Sequence, residues 1–292
     1  MKLKLATFQS LFILIALCLS AFSQAAPALW SVEKNGVTSY IFGTVHVGDK
    51  SMEGLPKFIK NAIHQSKYTV VELDINALSP LDMQRKVAHF IASSQNIPLQ
   101  EALSPSVYKQ LQAYFTKRGI NIDLFRGQPV WMVMLTMIQL EYQKAGYSDE
   151  FGIDKQVIAY AKQLNKPIKA LETFEQQLSM FSKVSTMSDE MMGQTLAQMA
   201  DAKSFINDMI GAWKTGDDAR LKKYYKLSFD DTQYARLAEQ ILLVERNHAW
   251  IKTLAPAMAE ESHFIAVGAL HLPLEHGIIA GLQAQGFTVK RQ

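Results

Sequence analysis

The chain has 292 residues, of which 48% are hydrophobic and 20% are charged, and its formal net charge at neutral pH is +3. This composition is typical of a globular protein and excludes an intrinsically disordered chain, which would have fewer apolar residues and a larger net charge. A single cysteine excludes a disulfide scaffold and any multi-cysteine zinc or iron–sulfur site. The length allows one large domain or two ordinary ones.

Residues 1–25 have the pattern of a secretory signal peptide. Two lysines precede an apolar run over residues 11–19, and Ser23 and Ala25 supply the small residues of a cleavage site. The run is too short to span a bilayer comfortably. We therefore expect a secreted or periplasmic mature chain, residues 26–292, with no stable membrane span. Cleavage leaves 28 basic against 27 acidic residues, so we expect no nucleic-acid partner.

Strand-like segments lie mainly near the two ends of the mature chain. Asn35 and Gly36 separate two such runs and predict a hairpin with a type I′ turn. Other short apolar or β-branched runs predict buried strands. The six predicted strands cover residues 29–33, 37–42, 68–73, 167–171, 264–267 and 287–290.

Between these strands, apolar residues recur with the period of an α-helix. Helices are predicted over residues 56–66, 81–93, 106–117, 129–144, 153–164, 189–213, from 217, 232–254 and 275–285. In the segment 189–213, apolar residues recur every seven positions at Met192, Met199, Ile206 and Trp213. This stripe predicts one long helix with a single buried face. We expect residues 185–240 to be helical and to lie outside the sheet.

The same order of features occurs near both ends of the mature chain. A strand, a Gly-x-x-His motif (43–46 and 268–271), a helix and a second strand follow one another in each unit. The repeat predicts an α/β (α+β) fold in which both chain ends build one mixed sheet. We expect a single domain over residues 26–292, with a helical insertion at about 80–260.

Two histidines and two glutamates follow predicted strands and suggest a metal centre. A glycine at a strand end allows a sharp turn, and ligands bind at this edge of α/β sheets, which favours a joint role for His46 and His271. Glu72 and Glu172 come where apolar strands end. Two imidazoles with one or two carboxylates would suit Zn, Mn, Co or Fe(II) in a hydrolytic site. A histidine at a strand end is also commonly a hydrogen-bonded core residue.

The segment YIFGTVHVGD at residues 40–49 resembles the opening signature of the TraB/GumN family, whose relatives include the Tiki metalloproteases and the pheromone-shutdown proteins. Four further segments fit the family in order. They are VVELD at 70–74, ALETFEQQ at 170–177, ERNHAW at 245–250 and FIAVGALHL at 264–272.

The resemblance implies a metal-dependent hydrolase, and in the Tiki branch a peptidase, acting on a peptide or another small amide or ester. It implies that His46 and His271 belong to a divalent-metal site and that Glu72 is a metal ligand or the catalytic acid/base. It also implies three further site residues: Glu172, Arg246 and Asn247. We expect the Arg246 guanidinium to point into the cleft toward Glu72 or Glu172.

Two alternatives remain open from the sequence. The chain could instead be a non-catalytic periplasmic protein that binds a metal or a haem-like ligand in the same cleft.

Asp49 could orient His46 or cap the turn before Ser51. Thr173 and Gln176 have the spacing of a capping box, which would place Glu172 just outside the helix.

Overall fold

The computed structural model describes residues 26–93 and 97–292, so the predicted signal peptide lies outside the described residues. The described residues form a six-stranded sheet with strand order β4-β3-β5-β2-β1-β6. Its strands are β1 (Leu29–Lys34), β2 (Val37–Thr44), β3 (Tyr68–Val71), β4 (Ile168–Ala170), β5 (His263–Gly268) and β6 (Thr288–Arg291).

The sheet is mixed, and its strands come from both ends of the described chain. β1 pairs antiparallel with β2 and β6, whereas β2–β5, β5–β3 and β3–β4 are parallel. Asn35 and Gly36 both have positive φ, 53° and 76°, as a type I′ turn requires. The predicted hairpin and the predicted mixed α/β fold are confirmed.

The described part of the chain contains thirteen α-helices. They are α1 (Lys57–Gln65), α2 (Pro80–Ser93), α3 (Leu99–Ala102), α4 (Pro105–Thr116), α5 (Val130–Ala145), α6 (Ile153–Gln163), α7 (Phe174–Val184), α8 (Ser188–Gln198), α9 (Ala202–Thr215), α10 (Asp218–Ser228), α11 (Gln233–Glu239), α12 (Glu245–Met258) and α13 (Ile278–Ala284). A π-helix, Gln240–Val244, joins α11 to α12. None of the described helices combines the length and the apolarity needed to cross a membrane.

The apolar interior has three parts. Helices α1, α6, α9 and α10 cover one face of the sheet and form what we call the sheet core, which includes Phe42 and Phe264. Helices α12 and α13 cover the other face. A helical core, built from α3, α4, α5, α7, α8 and α11, lies apart from the sheet and is centred on residues such as Phe115 and Met137.

The prediction of one long helix over residues 189–213 is wrong, because α8 and α9 are separate helices. Met192 packs in the helical core, whereas Ile206 and Trp213 pack in the sheet core. Met199, at the break, contacts both cores. The residues of the seven-residue stripe therefore pack in two different cores, the helical core and the sheet core. The prediction that residues 185–240 are helical and contribute no strand is confirmed for this fully described stretch.

The stretch 80–260 is mainly helical but returns to the sheet at β4, which pairs with β3. Helix α6 also packs on the sheet, through Val157 and Ile158 in the sheet core. The helices of the helical core therefore come from two stretches of the chain, one before α6 and one after β4. This arrangement leaves the carboxyl ends of β2, β3 and β5 facing the helical core.

Candidate functional site

The two Gly-x-x-His motifs lie at the same edge of the sheet. β2 and β5 are parallel neighbours, with Gly43 opposite Val267 and Thr44 opposite Gly268. The histidines that follow these strands, His46 and His271, therefore emerge at adjacent strand ends. The His46 side chain is 71% exposed, whereas that of His271 is buried.

Glu72 lies where β3 ends, beside both motifs. Its Oε1 accepts a hydrogen bond from the Gly268 backbone N–H at 2.6 Å and lies 3.8 Å from His271 Nε2. Its Oε2 accepts from Arg246 Nη2 at 2.5 Å. Burial disfavours the ionised form, but the nearby positive charge, including that of Arg246, holds the pKa of Glu72 well below its ordinary value. Glu72 is therefore a buried carboxylate at neutral pH.

Asn247 determines which nitrogen of His271 carries the proton. The Asn247 Nδ2 group donates to the backbone oxygens of His271 at 3.3 Å and His276 at 2.8 Å, so its Oδ1 faces His271 Nδ1 at 2.7 Å. An amide oxygen only accepts, so Nδ1 is the protonated nitrogen. Burial lowers the pKa of His271 to about 3. The neutral imidazole therefore has its lone pair on Nε2, which accepts from Arg246 Nη1 at 3.0 Å.

Asp154, in the first turn of α6, holds His46 in the same manner. Its Oδ2 lies 2.9 Å from His46 Nδ1, and its Oδ1 accepts from Thr44 Oγ1 at 2.5 Å. The carboxylate charge raises the pKa of His46. Within the part of the chain that the structure describes, His46 Nε2 has no hydrogen-bond partner. This nitrogen is therefore available to a ligand.

Sequence reasoning did not identify Asp154 or Thr44. Acidic residues are common in the first turn of any helix, where they interact favourably with the helix dipole, so the position of Asp154 in the sequence does not distinguish it. The signal that would have helped is Gly152, two residues earlier.

Asp49 caps the turn at Ser51, accepting from its backbone N–H at 2.8 Å, and also pairs with Lys214 at 2.6 Å. The capping interpretation of Asp49 is therefore confirmed.

Gly152 is required because the backbone of His46 packs directly against it. A Cβ at this position would lie 2.5 Å from the His46 carbonyl oxygen and 3.1 Å from that of Asp149. We expect Gly152→Ala to displace the His46 loop and to lower the free energy of unfolding, measured by urea denaturation, by about 1–3 kcal/mol. Gly127→Ala is the matched control, because a Cβ there would contact nothing within 4 Å. Equal stability of the two variants would show that the loop is not constrained here.

Arg246 lies at the centre of the buried charges. Its Nε and Nη2 donate to the two oxygens of Glu172 at 2.8 and 2.9 Å, and Nη2 also donates to Glu72. Its Nη1 donates to the Leu242 carbonyl at 3.0 Å and contacts His271. The side chain is 12% exposed. The guanidinium thus points into the cleft, toward both glutamates.

Glu172 is fully engaged in holding Arg246. Besides the two bonds from Arg246, it accepts from Trp250 Nε1 at 3.1 Å and from Gln177 Nε2 at 3.3 Å. Thr173 and Gln176 form the predicted capping box at the start of α7, which leaves Glu172 outside the helix. Its oxygens are therefore occupied by donors and oriented by them.

A π-helix precedes Arg246 and Asn247. The wider turn at Gln240–Val244 ends where α12 begins, and such turns often occur at functional sites. The Leu242 carbonyl lies within this turn and accepts from the Arg246 side chain. No feature of the sequence QILLV distinguishes a π-turn from an α-turn.

The donor set suits a divalent metal, although Arg246 contacts two of its members. Each imidazole has Nδ1 held by Asp154 or Asn247, the kind of partner that orients histidine ligands in metal sites. Among residues 26–93 and 97–292, no three His, Cys, Asp or Glu side chains are grouped closely enough to hold a metal ion. A metal bound by His46, His271 and Glu72 would therefore require these side chains to move closer together and Arg246 to release His271 and Glu72.

Comparisons with known proteins agree with this arrangement of motifs. The chain is 26% identical to the uncharacterized protein YbaP of Shigella flexneri over 238 residues, which covers 80% of this chain and 83% of that protein. The YbaP protein of Escherichia coli (strain K12) is also 26% identical, over 237 residues. Metalloprotease TIKI1 of Xenopus tropicalis is 22% identical over 324 residues, covering 91% of this chain and 62% of that protein. No solved structure matches the chain significantly.

The family model for TraB/PrgY/gumN matches residues 28–291, from β1 to the last residue of β6. The match includes both Gly-x-x-His motifs and the helical core between them. The resemblance inferred from the motifs is confirmed, and the chain belongs to the TraB/PrgY/gumN family.

Proposed function

We propose that this chain is a metal-dependent hydrolase, secreted or periplasmic, that cleaves amide or ester bonds in peptides or other small substrates. The observation that carries the proposal is the placement of two oriented imidazoles and a buried carboxylate at the ends of neighbouring parallel strands. His46 and Glu72 line a cleft of about 350 Å³ together with Arg246, which contacts His271. This volume is within the range of small-ligand sites. The similarity to metalloprotease TIKI1 supports the same class of reaction.

In this proposal His46, His271 and Glu72 hold the metal through His46 Nε2, His271 Nε2 and a Glu72 oxygen. A divalent metal bound there supplies a Lewis acid and lowers the pKa of a bound water. Asp154 and Asn247 are positioning residues, because each fixes one imidazole through its Nδ1.

Arg246 would bind the substrate carbonyl oxygen once its contacts with His271 and Glu72 are released. Glu172 keeps the guanidinium in place through two hydrogen bonds. A planar, fixed cation of this kind stabilises the negative charge that develops on a carbonyl oxygen during attack. Glu172 is therefore a positioning residue in this scheme.

A second candidate function is non-catalytic binding of a metal or haem-like ligand in the same cleft. One observation favours it: both glutamates have their oxygens occupied by hydrogen-bond donors. A general base needs a free oxygen within hydrogen-bond reach of the attacking water. Under the hydrolase proposal, release of Arg246 frees Glu72 Oε2 for this role, and Glu72 Oε1 would be the oxygen that holds the metal.

The decisive experiment measures metal affinity and hydrolysis on the same purified protein. We expect His46→Ala to weaken metal binding by more than about a hundredfold, beyond the effect typical of losing only a partner of a ligand, and to abolish hydrolysis of a peptide mixture. Isothermal titration with Zn²⁺, Mn²⁺ and Co²⁺ and mass spectrometry of the peptides provide the readouts. His64→Ala, an exposed histidine on α1, is the control.

Metal binding without any His46-dependent cleavage would favour the binding protein. Unchanged metal affinity and unchanged cleavage in His46→Ala would overturn both functions for this site.

A further inference from the structure

The cleft has a charged end and an apolar wall. The charged end carries His46, Glu72 and Arg246. The wall consists of five apolar side chains from three separate elements: Leu73, Ile75, Met180, Phe181 and Leu242. All five are partly exposed. Contiguous exposed apolar side chains beside a polar site commonly mark a ligand surface.

The helical core holds three of the five wall residues in place, and Ile75 packs against the sheet core. Phe181 stacks on Trp131 with ring centroids 6.0 Å apart and planes at 15°. Met180 and Leu242 also pack against the helical core. The wall is therefore a preformed surface that can accept an apolar group with little rearrangement.

The charges around the cleft are already paired with one another. Lys155 and Asp149 form an ion pair with a 2.6 Å separation, and Arg246 contacts two carboxylates. Asp154 is held by Thr44 and His46. A charged substrate side chain entering the cleft would lose water and, among the described residues that line the cleft, would find each charge already paired, which is costly.

We propose, building on the proposed hydrolase function, that the cleft selects substrates with a bulky apolar side chain next to the scissile bond, such as leucine, methionine or phenylalanine. The apolar wall receives this side chain while the reacting carbonyl lies at the charged end. The small volume of the cleft, about 350 Å³, fits a few residues of a peptide. The wall is thereby the specificity surface of the enzyme.

The test uses end-blocked peptides that differ at one position, with cleavage followed by mass spectrometry. We expect kcat/KM for leucine or phenylalanine at one fixed position beside the cleaved bond to exceed that for alanine by at least about tenfold. Peptides with aspartate at that position should be cleaved most slowly.

Met180→Lys places a cation in the wall and is the main variant. We expect it to lower the preference for leucine over aspartate by about tenfold or more, with metal affinity unchanged. Met83→Lys is the matched control, because Met83 is partly buried on α2 and does not line the cleft. If Met180→Lys fails to fold, Leu242→Ala serves instead and should shift the preference toward larger apolar side chains.

The possible outcomes separate the two proposals. His46-dependent cleavage without an apolar preference, or with a preference that neither wall variant changes, would overturn the specificity surface and leave the hydrolase function standing. If no peptide is cleaved in a His46-dependent manner, the hydrolase function fails and the specificity inference fails with it.

Discussion

Replacing Arg246 by alanine is expected to lower the free energy of unfolding by about 3–5 kcal/mol, because two buried carboxylates would lose their shared cation. The Glu72 and Glu172 side chains are only 8% and 9% exposed. Urea denaturation followed by circular dichroism measures the change.

Glu172→Gln provides the informative comparison for Arg246. It removes one of the two buried charges while keeping a side chain of similar shape. The double variant Glu172→Gln with Arg246→Ala should therefore be more stable than Arg246→Ala alone. If the double variant loses as much free energy of unfolding as the two single variants together, Arg246 and Glu172 are not energetically coupled. That result would contradict the role of their paired hydrogen bonds.

The second large effect is expected for Asp154→Asn. The neutral amide would no longer orient His46 as a carboxylate does, so metal affinity should fall by about 10–100-fold. Isothermal titration gives the affinity. Asp149→Asn is the control, since Asp149 lies at the same cleft but pairs with Lys155 instead of a histidine.

The pH dependence of metal binding should change in the same variant. A metal and a proton compete for His46, so the apparent affinity rises with pH until the His46 pKa is passed. Asp154 raises that pKa. In Asp154→Asn the rise of the apparent metal affinity with pH should therefore level off at a lower pH than in the wild type. A variant that levels off at the same pH would contradict an electrostatic role for Asp154.

The sequence predicted those features that depend on local pattern. The hairpin at Asn35, the two Gly-x-x-His motifs and the capping box at Thr173 each follow from short-range chemistry, and the structure contains them. Six strands were placed within a few residues of their observed bounds. The placement of His46 and His271 after neighbouring strands of one sheet followed from the repeated unit.

The features that the sequence did not predict depend on contacts between distant residues. Asp154 contacts His46 across 108 positions, and only the packing of α6 against the sheet brings them together. The break between α8 and α9 reflects two different interiors, which a periodic stripe does not distinguish. The occupation of both glutamates by Arg246 arises from three segments that meet only in the fold.

Two separate cores flank the cleft, and each supplies one side of it. The strand ends that carry His46 and Glu72 rest on the core of the sheet, whereas Phe181 and Leu242 rest on the helical core. Cores that are packed independently open as separate cooperative units, with different free energies of opening. A partial opening of the helical unit would move Met180, Phe181 and Leu242 away, whereas Ile75 and the histidines that follow the strands would keep their positions on the sheet core. Substrate access and the alignment of the reacting groups can therefore be varied independently in this fold.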